Sequence, residues 1–430
     1  MLEKRRKILY TKQGYITTMD RSKEMEELVK QVENEIQEEF QKNEDIELKN
    51  SRKVLEAFQK YQVSEAHLNG TTGYGYNDMG RDTIEKIYAE IFHAEDALVR
   101  IQFISGTHTI ATALFGVLRP GDTVLSINGK PYDTLDETLG IRENPSSLKA
   151  FGVHYEQIDL INNHFDLKSI QERVAKKDIK LVIMQRSRGY AYRNAFLIDE
   201  MAEAIQTVKA ASPETLIMVD NCYGEFTEER EPTDVGADFV VGSLIKNIGG
   251  GIAPTGGYIV GRKAPLDLIC DRYSAPGLGK EGGATFDFNR KVLQGLFMAP
   301  HIVTESKKIG IFTARIMEKL GYEVSPKYNE KRSDIVQMIK FNDPNKLIKF
   351  CQGIQYNSAV DSHVTAEPWD MPGYESKIIM ASGSFTSGSS IELSCDGPVR
   401  EPYVAYLQGG LTYSYGKIAV INAIKEMDKA

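Results

Sequence analysis

Four short stretches of this 430-residue chain carry residue types suited to covalent chemistry. Lys246 lies in Gly242-Ser243-Leu244-Ile245-Lys246-Asn247, ahead of Gly249, Gly250, Gly251 and then Pro254-Thr255-Gly256-Gly257. A lysine amine near a strand end can be desolvated, which lowers its pKa until it is nucleophilic near neutrality and able to form a Schiff base. The surrounding glycines would let the chain curl around a bulky ligand, although most lysines are simply solvated on loops. Asp220 ends the apolar run Met218-Val219-Asp220, where an unpaired carboxylate is costly and calls for a cationic or hydrogen-bonding partner. A helix cap or structural ion pair would satisfy it equally well. Ser105-Gly106-Thr107-His108 follows another apolar run and opens a helical one, and N–H groups at such a start can hold a phosphate beside the Thr107 hydroxyl. An ordinary capped junction is the plainer alternative. Tyr132, in Lys130-Pro131-Tyr132-Asp133-Thr134, offers a flat ring that could stack on a ligand or merely pack in its loop.

In an open α/β sheet, ligands bind beyond the carboxyl ends of the strands, so the elements must put these four stretches on one edge. Strand-like runs alternate with helical stretches at Ala97–Ile104, Thr123–Ile127, Phe151–Ile158, Leu181–Met184, Leu216–Val219, Phe239–Val241 and Tyr258–Val260. Several are apolar throughout, which fits seven strands covered on both faces in a mostly parallel sheet. The glycine-rich link between Val241 and Tyr258 is too short for a helical crossover, so the last strand is expected to run antiparallel. Beyond about residue 300 the pattern becomes a long helix, a strand Ile335–Phe341, a helix from Asn345, strands Ile378–Met380 and Ile391–Leu393, and a final helix Lys417–Met427. This divides the chain into a helical arm (1–65), a large α/β domain (66–300) and a smaller α+β domain (301–430). Met25, Leu28, Val29, Val32, Ile36 and Phe40 recur at helical spacing among glutamates. The helix they form either packs on its own subunit or serves as an arm at a subunit interface.

The order of the four stretches, phosphate turn, aromatic, carboxylate and lysine, resembles that of the fold-type I pyridoxal-5′-phosphate (PLP) enzymes, and within them the cystathionine and methionine lyase group. Asp220-Asn221-Cys222 is similar to that group's Asp-Asn-Thr, Ser243-Leu244-Ile245-Lys246 to its Ser-x-x-Lys, and Tyr132-Asp133-Thr134 falls at its Tyr-Gly-Gly-Thr. Closer still, GTTGYGYNDMGRDTIE, SGTHTI, GSLIKNIGGGIAPTGGYIVG and GSFTSGSSIELSCDGPVREPY look like the bacterial family of aluminium-resistance or cystathionine β-lyase-like proteins. The resemblance runs from about residue 70 to the C-terminus. It implies an aspartate-aminotransferase-like fold with PLP as a Schiff base on Lys246. Gly106, Thr107 and Ser243 would hold the phosphate, Tyr132 would stack on the ring, and Asp220 would face the ring nitrogen.

The same resemblance implies a carbon–sulfur lyase performing β- or γ-elimination on cystathionine, cysteine or methionine. The freed Lys246 amine would take the Cα proton, and Tyr132 would protonate the leaving thiolate. Tyr76 resembles the tyrosine that reaches the phosphate of a neighbouring subunit, which implies a homodimer or homotetramer with shared active sites. Where that group has an arginine two residues later, this chain has Asp78, with Arg81 further on as a possible replacement. Arg400 is the candidate partner for a substrate α-carboxylate, with a surface salt bridge as its alternative. An aminotransferase or aldolase would use the same parts, and a weakly catalytic PLP-binding protein of metal stress is a reading of a different kind.

Composition narrows the rest. A net charge of −8 with interspersed signs gives no basic stripe for nucleic acid. With 41% hydrophobic and 26% charged residues the chain reads as an ordinary globular protein. Lys4, Arg5, Arg6 and Lys7 precede no apolar signal block, and no apolar run is long enough to span a bilayer, so a cytoplasmic protein is expected. Cys222, Cys270, Cys351 and Cys395 form no CxxC, and the histidines form no HxH or HExxH, so neither metal site nor disulfide framework is expected. Glycines 73, 75 and 80 do not make GxGxxG and follow no strand, which argues against a dinucleotide.

Overall fold

The computed structural model describes residues 23–371 and 376–427. Lys4, Arg5, Arg6 and Lys7 lie outside them. The chain begins with helices α1 (residues 23–35) and α2 (Gln37–Lys60), then α3 (Met79–Ile91). The large sheet is built from β1 (Asp96–Arg100), β2 (Thr123–Ser126), β3 (His154–Gln157), β4 (Ile179–Gln185), β5 (Leu216–Asp220), β6 (Phe239–Ser243) and β7 (Gly257–Gly261). Between them run α4 (Gly106–Val117), α5 (Asp136–Leu139), α6 (Leu167–Val174) and α7 (Ile198–Ala211), and α8 (Lys263–Tyr273) follows.

The sheet order is β1-β7-β6-β5-β4-β2-β3. β6, β5, β4, β2 and β3 are parallel, whereas β7 runs antiparallel to both β6 and β1, as the short link before it requires. The apolar runs have their cause in burial on two faces. Leu181 and Ile183 of β4 point toward α4 and α8, while Val182 and Met184 point toward α3, α7 and the helix that follows the sheet. Because the central strands are parallel, Asp220, Ser243, Gln185 and Ser126 all emerge on one edge.

Helix α9 (Asn289–Lys319) spans residue 300 without interruption and joins two cores. Leu293, Leu296 and Val303 pack against the large sheet; Ile309, Phe312 and Ile316 belong to a second core. That core lies under a wholly antiparallel sheet of order β10-β11-β12-β9-β8, made of β8 (Glu323–Ser325), β9 (Val336–Lys340), β10 (Ile378–Ser382), β11 (Ser394–Pro398) and β12 (Val404–Gln408), with α10 (Pro344–Tyr356) and α11 (Tyr413–Met427). Val32, Ile36 and Phe40 are buried in this second core, so α1 and the start of α2 pack on their own chain.

The expected strand Ile391–Leu393 is a turn instead. The buried Glu392 carboxylate accepts the N–H groups of Phe385 (2.6 Å) and Thr386 (2.9 Å), which ties this segment to the preceding loop, and strand pairing starts only at Ser394. Short β8 and polar-ended β12 carried too little periodicity to be anticipated.

A buried ion pair joins α3 to the edge of the sheet. Glu85 pairs with Arg100 and accepts the Val99 N–H at 3.0 Å, while Arg100 also donates to the Lys280 carbonyl at 2.8 Å. Burial raises the Glu85 carboxyl above its ordinary range even with Arg100 beside it. Removing one partner leaves an uncompensated charge. Glu85→Leu should therefore lose about 3–5 kcal/mol in denaturant titration, and adding Arg100→Met should recover much of that loss.

Candidate active site

A cavity of about 430 Å³ opens between the carboxyl edge of the large sheet and the second sheet. Gly106, Thr107, Tyr132, Asp220, Ser243 and Lys246 all line it. Four separate segments thus converge because the strands before them are parallel and the link through β7 folds back.

Gly106 and Thr107 begin α4, whose first N–H groups have no partners within the helix. Ser105 caps the helix by accepting the His108 N–H at 3.0 Å. Thr107 and Thr134 share a hydrogen bond of 2.9 Å, which fixes the Tyr132 loop against the helix start. The Tyr132 N–H donates to Gln185 Oε1 at 2.8 Å. At the end of β5, Asp220 Oδ1 accepts the Cys222 N–H at 3.1 Å. Burial raises the Asp220 carboxyl, against the pull of that N–H and of the Lys246 and Arg193 charges.

Lys246 Nζ donates to Ser390 Oγ (2.8 Å), Tyr223 Oη (2.9 Å) and the Gly388 carbonyl (3.1 Å). The expected depression of its pKa is not what the structure gives. Burial does work against the ammonium, but Tyr223, Cys222 and Asp396 outweigh it and the net direction is upward. The glycine run also has a different cause from the one expected. A Cβ on Gly249 would sit 1.7 Å from the Leu244 carbonyl oxygen, and one on Gly250, at φ +54°, would sit 2.4 Å from that of Gly295. Gly249 lets the lysine loop close on itself, and Gly250 seats that loop on α9.

Two expected residues are not brought into the cavity. Tyr76 is 51% exposed and stacks on Tyr74 at 5.6 Å. Arg400 lines an adjoining cleft of about 150 Å³, which shares Tyr132, Gln185 and Tyr190 with the larger cavity. Asp78 caps α3 through the Arg81 N–H at 2.9 Å, with Asn289 at 2.9 Å and Thr71 at 2.5 Å on the same carboxylate. Arg81 is buried, donates to the carbonyls of Gly75, Gly283 and Glu281 and pairs with Asp82 at 2.9 Å, so it does not replace the missing arginine within this chain.

Sequence reasoning missed Tyr223, Ser390 and Asp396. Asp396 lies on β11 inside the stretch SIELSCDGPVREPY, and its position within a strand was the signal available. Its Oδ2 accepts from Tyr190 Oη (2.8 Å) and Gln408 Nε2 (2.9 Å), while Oδ1 is buried without a partner. Among the described residues, no three His, Cys, Asp or Glu side chains gather to hold a metal, and no helix is long and apolar enough to cross a membrane.

The methionine gamma-lyase family model matches residues 25–428. The chain belongs to that family. A carbon-sulfur lyase involved in aluminum resistance from Clostridium novyi NT shares 50% identity and a TM-score of 0.91, covering 94% of this chain and 96% of the other. The uncharacterized protein YnbB of Bacillus subtilis strain 168 is 50% identical over 387 residues, 89% of this chain and 92% of its own. A PLP-dependent protein, YhfS from Escherichia coli, covers 90% of this chain at a TM-score of 0.61; at 16% identity the likeness speaks to fold alone. Fold-type I architecture and membership of the lyase group, both read from motifs, are borne out.

For this family member, Asp396 makes a measurable pH signature. Burial pushes its carboxyl up to about 6, with Tyr190, Lys246 and Gln408 pulling the other way. The unfolded chain loses this proton near pH 3.9. Its stabilising contribution is therefore complete below about pH 4 and is lost as pH rises through about 6. Between those limits Asp396→Asn should gain on the wild type by about 3 kcal/mol in unfolding free energy, measured by denaturant titration at each pH.

Proposed function

We propose that the chain is a PLP-dependent carbon–sulfur lyase that performs β- or γ-elimination on a sulfur-containing amino acid such as cystathionine, cysteine or methionine. The observation that carries this reading is the convergence on one cavity of the Lys246 amine, the Asp220 carboxylate and the start of α4 beside Thr107 and Ser243. The donor set fits the cofactor. Helix N–H groups and two hydroxyls suit a phosphate, a carboxylate held at a strand end suits a protonated ring nitrogen, and the Lys246 amine suits an aldehyde carbon. Membership of the methionine gamma-lyase family and the carbon–sulfur lyase from C. novyi support the same chemistry.

PLP supplies an electron sink for the pair left at a substrate Cα. The other work falls to side chains. Gly106, Thr107 and Ser243 would hold the phosphate, Tyr132 would lie against the ring, and Asp220 would keep a proton at the ring nitrogen. Lys246 would hold the cofactor at its aldehyde carbon, and its amine would serve as the general base that moves the substrate Cα proton. Its hydrogen bonds to Tyr223 and Ser390 orient Nζ for that transfer. Tyr132 delivers a proton to the departing thiolate. Arg400 would take the α-carboxylate of a substrate that extends past Tyr132, Gln185 and Tyr190 into the adjoining cleft.

A homodimer or homotetramer with shared active sites is part of the proposal. Tyr74, Tyr76, Met79 and Ile104, each more than half exposed, give it apolar surface to bury. A cytoplasmic location is supported by four free cysteines, two of which, Cys351 and Cys395, lie 3.7 Å apart as thiols.

The test is direct. The purified, PLP-loaded protein should absorb at about 420 nm, and borohydride followed by peptide mapping should put the label on Lys246. A panel of sulfur amino acids should yield keto acid and thiol, at rates falling at least about 10³-fold in Lys246→Ala. Keto-acid-dependent amino transfer, or aldehyde release, would replace this reading with an aminotransferase or an aldolase.

A further inference from the structure

A second cavity, of about 380 Å³, shares no lining residue with the first. Its walls come from α2, the start of α7, the 227–230 loop, α9 and the 330–332 segment. Four of the five acids in its wall are already paired with cations, and the fifth holds a backbone N–H. Glu39 pairs with Lys42 (2.7 Å), Asp199 with Arg230 (2.5 Å), Glu228 with Arg186 (2.8 Å) and Glu229 with Lys49, and Glu330 accepts the Lys327 N–H at 2.8 Å.

Two buried cations in the same wall are not matched. Lys307, 3% exposed, donates to the Thr227 carbonyl at 2.6 Å; Arg332, 5% exposed, gives Nη2 to Gln337 Oε1 at 2.6 Å. Arg332 Nε and Nη1 are buried with no acceptor, and among the described residues neither cation has a carboxylate within ion-pair distance. The two lie close together. Arg332 Nη1 would be 2.9 Å from a Cβ on Gly310, and Lys307 is one turn before Gly310 on the same face of α9. Burial pushes the Lys307 amine down to about 7, against the attraction of Glu228 and with repulsion from Arg332 and Arg186 adding to it. Unpaired buried charge is unfavourable, and a cavity lets an outside group relieve it.

We propose that this cavity is a binding site for a small oxyanion, a phosphate or carboxylate group, whose oxygens accept from Arg332 and Lys307. Guanidinium and ammonium donors together match such a group in charge and in hydrogen-bonding sense. The proposal is independent of the cofactor cavity and of the reaction assigned to it.

Calorimetric titration of the PLP-loaded protein with inorganic phosphate and, separately, succinate at constant ionic strength tests it. Saturable binding of either supports the site; phosphate alone assigns a phosphoryl ligand and succinate alone a carboxylate one. Arg332→Gln and Lys307→Met should each weaken that binding at least about tenfold, and Lys307→Met should melt higher than the wild type in anion-free buffer. In the unaltered protein, the rate of Lys307 acetylation, mapped by mass spectrometry, should fall over the same anion concentrations. No saturable heat from either anion up to about 10 mM, affinity unchanged in both variants, or Lys307 acetylation indifferent to anion would overturn the proposal.

Discussion

The arrangement of this molecule turns on holding one amine at the place where its two cores meet. The partners of Lys246 come from different parts of the chain: Tyr223 from the segment after β5, and Gly388 and Ser390 from the loop before β11. The amine reaches them from a loop that closes on itself at Gly249, where a side chain would meet the Leu244 carbonyl, and packs on α9 at Gly250, where one would meet the Gly295 carbonyl. Asn247 locks the same loop by donating to the Tyr223 and Glu225 carbonyls at 2.8 and 3.0 Å. Backbone packing, capping and side-chain reach all serve one atom.

That atom also sets the charge of the cavity. Lys246 is the one cation among the described residues lining it, against the two carboxylates of Asp220 and Asp396. Burial raises both acids and Lys246 lowers both, so a single positive charge is divided between carboxylates on opposite sheets. Any event that discharges the amine must raise both acids further, because their shared counter-charge disappears. A proton held at Asp220 or at Asp396 is thus coupled to the state of Lys246 with no contact between the two acids.

The large sheet was legible because burial on both faces leaves uninterrupted apolar runs, and the parallel order then predicts which residues end on one edge. Asp220, Ser243 and Lys246 follow from that geometry, and the family resemblance supplied the roles. Tyr223 and Ser390 were not legible, since one follows a tight turn and the other lies in a serine-rich loop whose partner is 144 residues away. The upward pKa of Lys246 was hidden for the same reason: burial is readable from an apolar neighbourhood, whereas the oxygens that outweigh it arrive by tertiary packing. In the second sheet, Glu392 uses its carboxylate on backbone N–H groups and so breaks a strand that alternation had suggested.

The departure at Asp78 is best understood through the charge of the cavity. A carboxylate there is a good helix cap, and it draws Thr71, Thr285 and Asn289 around the start of α3. Arg81, one turn on, is consumed by three carbonyls of the same turn and the 281–283 loop. The segment is therefore rigidly built but supplies no guanidinium to the cavity of its own chain. An anion at the start of α4 would rest on N–H groups and hydroxyls, with Lys246 the only full positive charge in the described wall. Helix ends hold an anion by direction as much as by charge, and Gly106, which faces Cys222 and Ser243 at ordinary contact distance, puts the start of α4 against the ends of β5 and β6.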